Sequence, residues 1–138
     1  MYLIGFPLLL IPFAIYNMIA FLTPGVNWTD AVTGVDLMSG ATWSVTAEDM
    51  LIGLAIILLP LEILKATRIG VRSVVDHILS MLLFVVMLVE FLMIRQAGTS
   101  TFFLLMMISV VDVLGGFIIT LRTAQRDLTV ERLDAASS

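Results

Sequence analysis

From Tyr2 to Leu22 the chain runs without one charged side chain, and three further apolar stretches follow, at about 47–64, 73–94 and 101–121. A hydrocarbon core about 30 Å thick needs roughly 20 apolar residues in helix to cross it. All four stretches meet that length. Strands of a membrane barrel would alternate apolar with polar residues over about ten positions, and these segments are solidly apolar. The expected fold is therefore an all-α membrane protein of four transmembrane helices, since helices satisfy their own backbone hydrogen bonds where water is absent. Composition agrees. Hydrophobic residues make up 60% of the 138 residues, charged residues 13%, and mean hydropathy is +1.11. A soluble domain of this size leaves too much surface in water to hide so much apolar area. That excludes soluble globular and disordered classes, and the net charge of −4 argues against a nucleic-acid partner.

The first stretch does not read as a cleaved signal peptide, because it lacks a basic N-terminal region and a small-residue cleavage site. It reads as a retained helix bent near Pro12, which has no N–H for the carbonyl of Leu8. Orientation follows from the basic residues. Lys65, Arg68 and Arg72 crowd the link between the second and third stretches, and Arg122, Arg126 and Arg132 follow the fourth. The loop 23–46 has none. Cytoplasmic loops carry the excess of Lys and Arg, so both termini and the 65–72 link are expected in the cytoplasm of a bacterial inner (plasma) membrane. Residues 1–127 then form a single four-helix domain, and 128–138 a polar cytoplasmic tail.

In the loop 23–46, Trp28 and Trp43 are placed to anchor at the membrane–water boundary. Pro24-Gly25 and Ser39-Gly40 mark turns. Thr46 and Asp49 have the spacing of a capping box that opens the second helix. Past the fourth span, helix is expected through Arg126, with 135–138 frayed.

Apart from Glu48 and Asp49 at the opening of the second helix, four carboxylates fall inside the spans: Glu62, Asp76, Glu90 and Asp112. An ionised acid at the bilayer centre costs about 2.5–3.5 kcal/mol, so each needs a partner, a proton or a position near the boundary. Glu62 and Asp76 lie near the cytoplasmic ends of their helices. Spacings of three and four bring side chains together on a helix, which pairs Glu62 with Lys65 and Arg72 with Asp76. With His77 and Arg122 at the same depth, these six residues can form one ionic cluster, either a structural pin or an entry site for protons or ions. Asp112 lies mid-span and is a candidate proton or cation site; the alternative is a neutral acid donating to a carbonyl or to Ser109. Ser80 on the third helix, with Ser109, Gly115, Gly116 and Thr120 on the fourth, makes a face of small and polar residues of the kind that concentrates at helix contacts in membranes. That face is expected to meet its neighbour or a second copy. Tyr16 and Asn17 are placed to line a polar spot toward the outer side.

The sequence has no cysteine and one histidine, which excludes a thiolate or multi-histidine metal cage within one chain. The nine methionines suit adaptable packing, and no cofactor is expected. Three stretches carry a family resemblance: Leu61-Glu62-Ile63-Leu64-Lys65-Ala66-Thr67-Arg68, then Val75-Asp76-His77, then Ser100–Leu105 with Asp112-Val113-Leu114-Gly115-Gly116-Phe117. Over about 47–127 the chain resembles small uncharacterised four-helix inner-membrane proteins of proteobacteria. The resemblance implies location and architecture and brings no activity. Small multidrug transporters share size and helix count, but they depend on a glutamate in the first helix, which is uncharged here. The expected role is non-enzymatic: an accessory subunit or self-associating module working through helix–helix contacts, as a homo-oligomer or in a larger membrane complex. The alternative is a proton- or cation-coupled transporter or channel that uses Asp112.

Overall fold

A computed structural model describes residues 6–67 and 71–137. The chain is mostly helical. Helix α1 spans Leu10–Leu22, α2 Ala47–Lys65, α3 Val71–Met93 and α4 Ser100–Ser137. A hairpin of β1 (Ala31–Asp36) and β2 (Thr42–Thr46) precedes α2, and a short 3-10 turn, Arg95–Ala97, joins α3 to α4. Helix α4 packs against both α2 and α3, while α1 packs on α2 and on the 3-10 turn.

Residues 74–93 of α3, and α4, are long and apolar enough to cross a membrane. Helix α1 is shorter, at 13 residues, and α2 carries Glu48, Asp49 and Glu62 within its 19. The burial pattern is inverted relative to a water-soluble bundle. Glu62, Lys65, Asp76, Ser80, Glu90, Ser109 and Asp112 are buried, while Ile57, Val85, Val86, Val89, Leu114 and Ile118 are at least half exposed.

Three expectations require correction. Pro12 does not bend α1 in its middle. The helix starts at Leu10, so Pro12 lies in the first turn, where its missing N–H would have had no partner. Before it, Leu10 N–H donates to Pro7 O and Ile11 N–H to Leu8 O in tighter turns. Trp28 is not a boundary anchor. It is 5% exposed and stacks on Tyr16, with ring centroids 4.6 Å apart and planes 7° from parallel. Finally, the loop is not merely turns. Val35 faces Trp43 and Thr33 faces Val45 across an antiparallel ladder, and Gly40, at φ 88°, supplies the left-handed residue that closes the hairpin.

The opening of α2 follows its sequence. Asp49 N–H donates to Thr46 Oγ1 at 3.1 Å, and Thr46 N–H donates to Asp49 Oδ2 at 3.0 Å. This reciprocal cap satisfies two groups that the helix itself cannot. At its other end α4 outruns expectation, staying helical to Ser137 as an exposed rod beyond the bundle.

Candidate functional site

Pro7 keeps residues 6–9 out of regular helix and so leaves the Phe6 carbonyl and the Leu8 N–H without intrahelical partners. Buried backbone groups must find partners elsewhere. Both find α2: Leu8 N–H donates to Glu62 Oε2 at 2.8 Å, and Lys65 Nζ donates to the Phe6 carbonyl. Glu62 and Lys65 also pair with each other at 3.3 Å, with side chains only 2% and 7% exposed. From α3, Ser80 donates to Glu62 Oε1 at 3.3 Å. From α4, Asp112 adjoins Ser80, with Glu62 and Lys65 close by. One buried centre thus joins the irregular segment 6–9 to three helices.

A cavity of about 10 Å³ opens here, lined by Glu62, Asp76, His77, Ser80, Asp112 and Gly116 among others. That is room for about one water molecule. The glycines make the closeness possible. A Cβ on Gly115 would come within 3.2 Å of Ile63, and one on Gly116 within 3.4 Å of His77 Nδ1. His77 also stacks against Phe117, centroids 6.0 Å apart. The two adjacent glycines of α4 therefore admit α2 and α3 respectively.

Of the six residues expected in the ionic cluster, Glu62, Lys65, Asp76 and His77 lie at this centre. The side chain of Arg72 lies outside the described residues. Arg122 does not join: it is exposed and flanks Gln125, Arg126 and Thr129 on the projecting part of α4. It stands ten residues past Asp112, about 15 Å along the helix axis, which is too far along the rod to reach the centre. Among the packing-face residues, Ser80, Gly115 and Gly116 meet neighbours as described. Thr120 turns back on its own helix, donating to Gly116 O at 2.8 Å. Ser109 is buried, and its hydroxyl has no partner among the described residues. The stripes of α3 and α4 face each other within one chain.

The sequence reading missed the backbone partners at Phe6 and Leu8, whose only signal was Pro7. It also missed how large the outer polar spot is. Tyr16 OH donates to Gln96 O at 2.7 Å and lies 2.7 Å from Thr99 Oγ1, and Thr99 in turn accepts from Phe102 N–H at the start of α4. Asn17 Nδ2 donates to Glu90 Oε2 at 3.4 Å. Phe102 packs edge-on to Tyr16 at 5.0 Å and parallel to Phe91 at 6.1 Å.

The inner centre can hold charge, since three acids (Glu62, Asp76 and Asp112) and one lysine meet there with a histidine at the cavity wall. The outer one can only pin helices through neutral hydrogen bonds and ring packing, apart from the acid at its edge. Comparison with family models, with curated proteins and with solved structures finds no match for this chain.

Proposed function

We propose that this chain is a four-span protein of a bacterial inner membrane, both termini cytoplasmic, that serves as an accessory subunit or self-associating module. The inverted burial pattern supports lipid as the solvent. Counting along the helices supports a common depth for the buried centre. Asp112, Ser80 and Glu62 lie about 18, 20 and 23 Å along α4, α3 and α2 from the helix ends nearest the hairpin and the 3-10 turn. In a core about 30 Å thick that is roughly two-thirds of the way to the cytoplasmic face.

One observation carries the module reading. The polar stripes of α3 and α4 are used up inside one copy, whereas residues 122–137 of α4 are exposed on every described side. Helices in proteins draw most of their stability from tertiary packing, which this stretch lacks within one copy, so this rod is a docking element. The test compares the full chain with a chain ending at Arg122, both extracted gently from native membrane. The full chain is expected to migrate as an assembly and the shortened one as a single copy. Identical migration of the two would refute the reading. A reporter fused after Ser138 should be active on the cytoplasmic side only.

A second reading, proton or cation movement through Asp112, is favoured by the cavity that Asp112 shares with Glu62, Asp76 and His77. Glu62 and Lys65 balance each other, which leaves Asp112 to be neutralised by a proton or a bound cation. Its test is flux into liposomes containing the purified protein. Flux that Asp112→Asn abolishes supports it, and no flux from the unaltered protein rejects it.

A further inference from the structure

The projecting part of α4 has its charges sorted by face. At about 100° per residue, Leu121, Ala124, Leu128 and Ala135 fall along one narrow line. Asp127, Glu131 and Asp134 run along one flank of it. Gln125 and Arg132 run along the other, with Arg122 and Arg126 further round toward the back. Toward the bundle the line continues through Phe103, Met107, Leu114 and Phe117, all exposed on α4.

We infer that this line is a seam with a second copy of the same chain, the two α4 helices running parallel about a two-fold axis normal to the membrane. The inference rests on the membrane reading above and names the partner it left open. Two copies inserted by the same charge rule have the same orientation, so they can offer each other only parallel helices. In a parallel pair the flank on one side of the seam meets the opposite flank of the other copy. Asp127 of each copy then faces Arg132 of the other, five residues on, and Glu131 at the edge of the seam reaches the same arginine. In an antiparallel pair, acidic flank would meet acidic flank. Charge therefore selects the geometry that the membrane imposes. Ala124 and Ala135 keep the seam narrow enough for close approach.

The membrane surface is a poorer occupant. Helix α4 is unbroken from Ser100 to Ser137, so the rod leaves along the axis of the span. Leu128 and Leu133 also lie about 140° apart and cannot both rest on one plane.

The absence of cysteine allows a direct test in native membranes with single-cysteine variants of the full chain under mild oxidation. Leu128→Cys lies on the seam, and Val130→Cys lies on the opposite side of the helix. Leu128→Cys is expected to give disulfide-linked dimers at about ten times the yield of Val130→Cys, because thiols that point apart cannot be bridged. Adding Asp127→Arg should lower the Leu128→Cys yield about fivefold, and adding Arg132→Asp to that should restore it. Equal or greater linking at position 130 overturns the seam. So does protection of Leu128→Cys from water-borne thiol reagents without any dimer, which would point to lipid. A chain that migrates as an assembly yet never links at 128 refutes self-pairing and leaves the accessory-subunit reading standing, whereas a chain that migrates as a single copy refutes both.

Discussion

The two interior centres of this bundle solve the same problem by different chemistry. At the inner one, a proline frees backbone groups, and a buried ion pair takes them up: Leu8 N–H on Glu62, the Phe6 carbonyl on Lys65. At the outer one, the loop between α3 and α4 leaves the Gln96 carbonyl to be satisfied, and a neutral tyrosine hydroxyl does so inside an aromatic stack. The difference lies in what happens when one member is lost. A buried charge without its partner is far more costly than a neutral hydrogen bond left unmade. The inner centre is thus the brittle one, and the outer centre tolerates damage.

Replacing Lys65 by Met sharpens that contrast most. It leaves Glu62 without its cation and the Phe6 carbonyl unserved, and should cost about 3–5 kcal/mol in unfolding from detergent micelles. The double variant with Glu62→Gln should recover a large part of that loss, because removing both charges is often nearly neutral. Tyr16→Phe keeps the stacking on Trp28 and Phe102 and removes only the hydroxyl. It should cost about 1–3 kcal/mol in the same measurement. If Tyr16→Phe proved the more damaging of the two, the comparison would break. Thr46→Ala lies at neither centre and removes one half of the α2 cap, for about 1 kcal/mol. Arg122→Ala, on the exposed rod, should change unfolding by less than about 0.5 kcal/mol, whatever it does to assembly.

Features set by neighbours in sequence could be read in advance. The Thr46–Asp49 cap is four consecutive residues, and its geometry matches the motif. The Glu62–Lys65 pair is one turn of one helix. Gly115 and Gly116 announced close approach, although not that each would admit a different helix. What escaped was set at long range. The backbone groups that Pro7 frees before α1 are held by side chains more than fifty positions away, and where the helix then starts decides whether Pro12 bends it or begins it. Trp28 carries the signature of a boundary residue, and only the position of Tyr16 across from it turns it inward. The hairpin hid because Gly34 weakens β1 and the alternation around Trp43, Ser44 and Val45 lasts only the five residues of β2. Arg122 was placed by depth alone, which ignores how far past the bundle α4 extends.

The claim on which the rest stands is that α2, α3 and α4 of one chain enclose the acids between them. A disulfide between Ile63→Cys and Gly115→Cys tests it most directly, since a Cβ at position 115 would lie 3.4 Å from Ile63 Cγ1, close to the reach of a disulfide. In membranes, the double variant should oxidise readily to a bond within a single chain, while neither single variant shows it. A failure to link, or a bond formed only between chains, would contradict the account.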